Sequence, residues 1–216
     1  MAQKRALVID LDRCSGCDSC IVACKFENNV TLGNYWCRVI AMGPVGEYPN
    51  VEMYWLPVHC QQCENSPCIG VCPTGASYRD AANGVVLIDK SKCIGCQYCM
   101  YACPYGVRQY NAAQGVVEKC TLCNHLTANS DGIENIADTA DPDHAVPPCV
   151  HNCSCGARHF GDLNDPNSGA SKALAAAQAA GKGVHSLPDR SGASPSTRYI
   201  LSPEVASWDA PWKGMM

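Results

Sequence analysis

The stretch Cys14-Ser-Gly-Cys-Asp-Ser-Cys-Ile-Val-Ala-Cys24 decides the fold, because it sets four cysteines at intervals of two, two and three residues. The same intervals recur in Cys93-Ile-Gly-Cys-Gln-Tyr-Cys-Met-Tyr-Ala-Cys103. We name these copies the first and third motifs. Each follows a short apolar run, at Val8 and at Leu87, that predicts a strand. The glycine in each Cys-x-Gly-Cys turn can adopt backbone angles that a Cβ atom would forbid.

A second type of motif alternates with the first. The second motif, Cys60-Gln-Gln-Cys-Glu-Asn-Ser-Pro-Cys-Ile-Gly-Val-Cys72, has intervals of two, four and three residues. The fourth motif begins with Cys120-Thr-Leu-Cys123 and resumes at Cys149-Val-His-Asn-Cys153. An insertion, Asn124 to Pro147, splits it and holds five acidic residues but no Lys or Arg. This composition is typical of a solvated surface loop, and a docking loop is the alternative.

The number and spacing of the cysteines indicate iron–sulfur clusters. A [4Fe–4S] cluster takes one thiolate per iron, and in two-cluster ferredoxins the fourth cysteine of a motif ligates the other cluster. Four motifs of four cysteines use sixteen of the eighteen cysteines and predict four [4Fe–4S] clusters. The predicted metal ligands are Cys14, Cys17, Cys20, Cys24, Cys60, Cys63, Cys68, Cys72, Cys93, Cys96, Cys99, Cys103, Cys120, Cys123, Cys149 and Cys153.

Other uses of cysteine fit less well. Tetrahedral zinc sites would leave the third and fourth cysteines of each motif surplus. A disulfide framework needs a secretory context, and the residues up to Asp10 contain no apolar signal segment. A catalytic thiol would need a base beside it, which no pattern indicates. Cys37 is expected to be a buried free thiol, and Cys155 is an alternative to Cys153 as a ligand.

Composition narrows the remaining possibilities. A net charge of −4 argues against a nucleic-acid partner, and no apolar run is long enough to span a membrane. With two Phe against eighteen Gly and fourteen Pro, a conventional core would be thin.

Beyond the motifs, Ser171 to Ala180 predicts a helix capped by Gly181, and Arg198 to Leu201 predicts a strand. The last residues, with Trp208 and Trp212, predict an arm.

The order of the motifs resembles the four-cluster ferredoxin subunit of molybdopterin oxidoreductases of the dimethyl-sulfoxide-reductase type. The resemblance extends from Ala6 to Phe160. It implies an α+β, loop-rich fold of two ferredoxin-like two-cluster modules, one nested within the other, with a C-terminal helix and arm. The outer module would span residues 1–52 and 109–162, the inner module 53–108, and the C-terminal part 163–216.

The resemblance also implies how the cysteines pair. Proline follows Cys72 and Cys103 but not Cys24 or Cys153, so the inner and outer motifs differ in kind. Since Cys99 is present, four irons are expected where some relatives carry three. The implied ligand sets are Cys14, Cys17 and Cys20 with Cys153; Cys120, Cys123 and Cys149 with Cys24; Cys60, Cys63 and Cys68 with Cys103; and Cys93, Cys96 and Cys99 with Cys72.

The implied function is electron transfer without catalysis. Such a subunit relays single electrons to or from a molybdenum or tungsten molybdopterin catalytic subunit, with a membrane anchor or a quinone- or cytochrome-linked subunit as a further partner. The alternatives are a ferredoxin-like subunit of a hydrogenase, formate or carbon-monoxide dehydrogenase complex, and a metal-stabilised interaction module. The expected location is cytoplasmic, or extracytoplasmic through co-export with a partner that carries a twin-arginine signal.

Five basic residues flank predicted ligands. Each either raises a cluster's reduction potential by stabilising the added electron or serves as solvated surface charge. These residues are Arg13, Lys25, Lys92, Lys119 and Arg158.

Overall fold

Short strands and helices alternate with the cysteine loops. The computed structural model describes residues 3–127, 146–189 and 191–209. The strands are β1 (Arg5–Asp10), β2 (Cys37–Glu47), β3 (Asn50–His59), β4 (Ser77–Arg79), β5 (Val86–Ile88), β6 (Gln109–Asn111), β7 (Val116–Glu118), β8 (Arg158–Asp162), β9 (Gly183–His185) and β10 (Arg198–Leu201). The helices are α1 (Ser19–Asn28), α2 (Pro67–Gly70), α3 (Tyr98–Tyr101), α4 (Asn124–Thr127), α5 (Pro148–His151) and α6 (Gly169–Ala179).

A four-stranded mixed sheet joins the two ends of the chain in the order β8-β1-β10-β9. Strand β1 runs antiparallel to β8 and parallel to β10, where Val8 pairs with Arg198. The strands predicted at Val8 and at Arg198 to Leu201 are therefore confirmed. Side chains alternate between the two faces of β1. Leu7 and Ile9 pack in the main core, and Val8 packs in a smaller core beneath α6. Both faces of β1 are thus covered.

Three two-stranded hairpins connect successive motifs. Hairpin β2–β3 links the first motif to the second, β4–β5 the second to the third, and β6–β7 the third to the fourth. The strand predicted at Leu87 is β5, which is confirmed. Isolated two-stranded hairpins are marginally stable in water, so these depend on what packs at their ends. The cysteine loops lie at those ends.

The C-terminal helix α6 starts two residues before the predicted Ser171. The Ser168 side chain caps it by accepting a hydrogen bond from the Ser171 amide at 3.1 Å. Gly181 follows with φ of +69°, and the Lys182 amide donates to the Ala177 carbonyl at 2.9 Å. The predicted helix and its glycine cap are confirmed.

Part of the predicted arm packs on this chain. The Trp208 ring stacks on His185 at a centroid distance of 4.8 Å and lies 6.0 Å from the ring of Tyr54. Trp212 lies outside the described residues, as do residues 128–145 of the insertion between Asn124 and Pro147. Trp208 thus packs between the four-stranded sheet and hairpin β2–β3.

Cysteines form much of the core. The main cluster of buried apolar residues includes Cys20, Cys24, Cys60, Cys120 and Cys149 beside the aliphatic side chains of β1 and β3. The fold is mixed α/β with few helices, and the expected thin core is supplemented by sulfur. In the ranges that the structure describes, we find no helix with the length and apolar character to cross a bilayer.

Candidate iron–sulfur cluster sites

Glycine is required in the Cys-x-Gly-Cys turns of the first and third motifs. Gly16 and Gly95 have φ of +69° and +68°. A Cβ atom on Gly16 would lie 2.4 Å from the indole of Trp55, and one on Gly95 would lie 2.4 Å from the carbonyl oxygen of Gly115. The backbone angle predicted for these glycines is confirmed. The neighbouring elements hold each turn tightly.

Helix α1 presents two motif cysteines on one face. Cys20 and Cys24 are separated by four residues, which places them one above the other, and both are buried. The residue before each motif helix, Asp18 before α1 and Gln97 before α3, has φ of 62° or 63°. This left-handed residue turns the chain sharply out of the cysteine loop and into the helix.

Three cavities are lined by cysteines that come from different motifs. We name their surroundings sites 1, 2 and 3. Site 1 contains Cys14, Cys17, Cys20, Cys153 and Cys155; site 2 contains Cys24, Cys120, Cys123 and Cys149; site 3 contains Cys60, Cys63, Cys68 and Cys103. Apart from Cys155, these groups have the same members as three of the ligand sets that the resemblance implies.

The fourth set, Cys93, Cys96 and Cys99 with Cys72, is named site 4. Cys99 is buried in a small apolar cluster against which Cys93 packs, and Cys96 is exposed. Strand pairing between β4 and β5, extended by a 2.8 Å hydrogen bond from the Asp89 amide to the Ala76 carbonyl, brings the end of the second motif beside the start of the third. That Cys72 ligates this site stays a prediction.

Backbone amides donate to the sulfur atoms of four motif cysteines. Donation from main-chain N–H groups stabilises negative charge on sulfur and therefore favours the thiolate. The pairs are Ser77 to Cys72 at 3.4 Å, Val117 to Cys93 at 3.5 Å, Leu122 to Cys120 at 3.5 Å and Ala157 to Cys153 at 3.3 Å.

Two cysteines of the fourth motif, Cys153 and Cys155, line the site 1 cavity. The Cys153 sulfur accepts from the Ala157 amide, as the Cys72 sulfur does from Ser77. The Cys155 sulfur instead lies 3.3 Å from the hydroxyl of Ser15 at the surface. The parallel with Cys72 favours Cys153 as the ligand, and the choice stays a prediction.

Cys37 is buried, as expected, but it is not remote from the motifs. Its sulfur lies 4.0 Å from the sulfur of Cys20 and 3.7 Å from Nη1 of Arg158. Nothing in the spacing of the sequence indicated this contact, because Cys37 belongs to β2 rather than to a cysteine loop.

The donor set suits an iron–sulfur cluster better than a single ion. All eighteen cysteines are free thiols, yet among the described residues no three His, Cys, Asp or Glu side chains are arranged to hold one metal ion. The cysteines instead surround space. Burial raises the pKa of Cys63 and of Cys120 to about 12, with neighbouring cysteines adding to the rise. These thiols are protonated at neutral pH until a metal displaces the proton.

Three buried cations contact the cysteine sites. Nη2 of Arg108 donates to the Cys68 sulfur at 2.9 Å, and Lys119 Nζ donates to the Cys120 carbonyl at 2.9 Å. Arg158 lines site 1. Lys119 and Arg158 were among the flanking residues with two predicted roles, and their burial rules out solvated surface charge for both. Arg108 was missed, because it follows no ligand and its sulfur partner is 40 residues away in the chain.

The flanking cation Lys92 differs from these three in being solvated. Its side chain is 62% exposed and forms an ion pair with Asp89 at 3.0 Å. Such surface charges act weakly because water and salt screen them. Lys92 therefore fits the surface-charge alternative.

Two apolar surfaces adjoin the exposed cysteines. The first, which we name the Phe26 surface, carries Val22 and the 85% exposed Phe26 in a groove that reaches Cys17 of site 1. The second, which we name the Tyr101 surface, consists of Ile94, Tyr98 and the 87% exposed Tyr101, which are exposed and lie within five residues of the exposed Cys96 of site 4 in the sequence. Exposed aromatic residues grouped in this way are typical of protein interfaces.

Cysteine-lined cavities with amide donors and buried cations define an iron–sulfur protein that carries electrons. Comparison with known sequences identifies the group: the chain belongs to the 4Fe-4S dicluster domain family, which it matches over residues 51–163.

Three similar proteins are subunits of oxidoreductases. A protein of Halobacterium salinarum, named provisionally as the iron-sulfur subunit of a dimethyl sulfoxide reductase, is 42% identical over 96% of this chain and 82% of its own length. A sulfite dehydrogenase subunit of Allochromatium vinosum is 38% identical over 96% of this chain and 91% of its own. The thiosulfate reductase electron transfer subunit PhsB of Salmonella typhi is 40% identical over 76% of this chain and 79% of its own length. The expected class, a non-catalytic iron–sulfur subunit for electron transfer, is confirmed.

Proposed function

We propose that this chain relays single electrons through four [4Fe–4S] clusters, held at sites 1 to 4, to or from a molybdopterin catalytic subunit. The observation that carries the proposal is that each of three cavities is lined by four or five cysteines that come from two different motifs. The names of the related reductase and dehydrogenase subunits support a catalytic partner.

The proposed ligand sets follow the three cavities for sites 1 to 3 and the family resemblance for site 4. Site 1 would use Cys14, Cys17, Cys20 and Cys153; site 2 Cys24, Cys120, Cys123 and Cys149; site 3 Cys60, Cys63, Cys68 and Cys103; and site 4 Cys72, Cys93, Cys96 and Cys99. Sites 1 and 2 combine the first and fourth motifs, whereas sites 3 and 4 combine the second and third. This supports an inner module, 53–108, nested within an outer module formed by 1–52 and 109–162.

The sites form a row in the order 1, 2, 3, 4. Cys20 of site 1 and Cys149 of site 2 interact electrostatically, as do Cys120 of site 2 and Cys60 of site 3. Cys68 of site 3 and Cys99 of site 4 share one buried cluster. When bound, iron–sulfur clusters supply reversible one-electron reduction, with potentials that hydrogen bonds to sulfur, charge and burial adjust. This chain contributes thiolates, amide donors and exclusion of water.

Each end of the row reaches the surface beside an apolar patch. The Phe26 surface adjoins site 1, and the Tyr101 surface adjoins site 4. Two such surfaces support two redox partners, one of them the molybdopterin subunit and the other a membrane anchor or a quinone- or cytochrome-linked subunit. The complex would act in the cytoplasm, or outside it after co-export with a partner that has a twin-arginine signal.

The test is to purify the protein without oxygen and measure iron, labile sulfide and electron paramagnetic resonance after reduction. We expect about sixteen iron atoms per chain, four in each cluster. Cys68→Ser should remove or alter the signal of one cluster, whereas Cys37→Ser, the control at a buried cysteine outside the proposed ligand sets, should retain all four. An iron content near eight, or equal losses from both variants, would contradict the proposal.

A further inference from the structure

Buried positive charge is concentrated at the cysteine sites. Among the described residues the buried Lys and Arg side chains are Arg5, Arg108, Lys119 and Arg158. Arg5 donates to the Thr127 carbonyl, and the other three approach cysteines. A buried cation is costly unless opposite charge or hydrogen bonds compensate it. The position of these three residues therefore points to negative charge at the sites.

Arg158 lies between sites 1 and 2. It lines the site 1 cavity with Cys20, its Nη1 donates to the sulfur of Cys37 at 3.7 Å, and it interacts electrostatically with Cys149 of site 2. Its Nε atom is buried and finds no hydrogen-bond partner among the described residues. An unpartnered donor in this position suits an acceptor that the polypeptide does not provide, such as a cluster sulfide.

Lys119 lies between sites 2 and 3. Its side chain is 1% exposed, and its Nζ donates to the carbonyl oxygens of Cys120 and Val86. Its strongest attractive interactions are with Cys60 of site 3 and Cys120 of site 2. One ammonium group is thus shared by two neighbouring ligand sets.

Arg108 lies between sites 3 and 4. It donates to the sulfur of Cys68 in site 3, which shares a buried cluster with Cys99 of site 4, and it interacts electrostatically with Cys99. The Ser77 hydroxyl, 2.8 Å from Nη2, fixes the guanidinium. Its Nη1 atom is buried without a hydrogen-bond partner in the described part of the chain, like Nε of Arg158.

We propose that Arg158, Lys119 and Arg108 are positioning residues, each of which raises the reduction potentials of the two clusters that flank it. The inference rests on the proposed ligand sets. One-electron reduction adds one negative charge to a cluster. A fixed cation in a medium of low dielectric therefore stabilises the reduced cluster more than the oxidised cluster, which raises the reduction potential. Because one cation lies between each pair of neighbouring sites, the clusters at sites 2 and 3 each have two nearby cations, and those at sites 1 and 4 each have one.

The experiment is a potentiometric titration, with dithionite as the electron donor, of the full chain in its native complex, monitored by electron paramagnetic resonance. Lys119→Met removes the charge at nearly constant length, and Arg108→Gln and Arg158→Gln remove the others. Lys119→Arg restores a cation at the same place. Lys92→Gln is the matched control, because it removes an exposed charge next to Cys93.

Each charge-removing variant should make two of the four clusters at least tenfold harder to reduce, which is about 59 mV for a one-electron couple. The pattern requires no prior assignment of signals. Lys119→Met should shift two clusters. One of these two should also shift in Arg108→Gln, and the other should also shift in Arg158→Gln. No cluster should shift in both Arg108→Gln and Arg158→Gln. Lys119→Arg should stay within about threefold of the parent, and Lys92→Gln should also do so.

Several results would overturn the proposal. Unchanged potentials in variants with full iron content would do so, as would equal shifts in all four clusters or a comparable shift in Lys92→Gln. Loss of iron from all three charge-removing variants would assign the cations to cluster retention instead. Failure of the proposed function is distinguishable, because it would appear as low iron content in the unmodified protein.

Discussion

Replacing Gly95 with alanine should loosen site 4, and the structure gives the size of the effect. Gly95 has φ of +68°, and its missing Cβ would lie 2.4 Å from the carbonyl oxygen of Gly115, in the turn of hairpin β6–β7. The left-handed backbone costs a residue with Cβ about 1–2 kcal/mol. The clash with a backbone atom adds an overpacking cost of about 1–3 kcal/mol.

The matched control is Gly181→Ala. Gly181 has φ of +69°, nearly the same angle, but nothing lies within 4 Å of its Cβ position, and it caps α6 rather than a cysteine turn. The control therefore carries the backbone cost alone. Because Gly181 lies away from the cysteine turns, its backbone cost does not act on site 4, and the control reports any effect on iron loss that is not local to the Gly95 turn.

The assay is the rate at which anaerobically purified protein loses iron to a ferrous chelator. Strain released on opening, about 2–5 kcal/mol when the two costs are added, lowers the barrier, so Gly95→Ala should lose the iron of one cluster at least about 30-fold faster than Gly181→Ala. Electron paramagnetic resonance should show one signal disappearing before the other three. Equal rates for the two variants would show that the contact with Gly115 does not constrain the turn.

Three further predictions concern the thiols, the helix cap and the metal. The pKa of Cys155 is lowered by hydrogen bonds from Ser15 and Ser154, so brief alkylation of the holoprotein at pH 8 should label Cys155. Peptide mass spectrometry identifies the labelled cysteine, and a label on Cys153 would reverse the ligand assignment. Ser168→Ala should lower the free energy of unfolding by about 1 kcal/mol through loss of the α6 cap, and an unchanged thermal midpoint would count against that role. Chelation of all iron should expose the Val117 amide to hydrogen exchange, and continued protection would mean that β6–β7 persists without metal.

The cysteine loops and their adjoining strands were predictable because they are local. The intervals within each motif, the strand before Cys14, the glycine turn and helix α6 all depend on residues within about one turn of each other. Local spacing also limited the number of ways in which the motifs can share ligands. These features needed no knowledge of distant contacts.

Features that depend on distant contacts were not predictable in this way. Arg108 meets Cys68 only because hairpin β4–β5 brings the second and third motifs together, and no interval in the sequence encodes that contact. The same holds for Cys37 beside Cys20 and for the stacking of Trp208 on His185. Resemblance to a family supplied the proposed ligand sets, which spacing alone left open.

Helix α1 sets the distance between two of the proposed cluster sites. Cys20 and Cys24 face sites 1 and 2 from the same side, and four helical residues advance about 6 Å along the axis. Inserting one residue here would rotate one cysteine by about 100° away from its centre, whereas the fourth motif already contains a long insertion between Cys123 and Cys149. The chain between Cys123 and Cys149 can therefore be long, whereas this single helical turn fixes the spacing of Cys20 and Cys24 at the two proposed cluster sites.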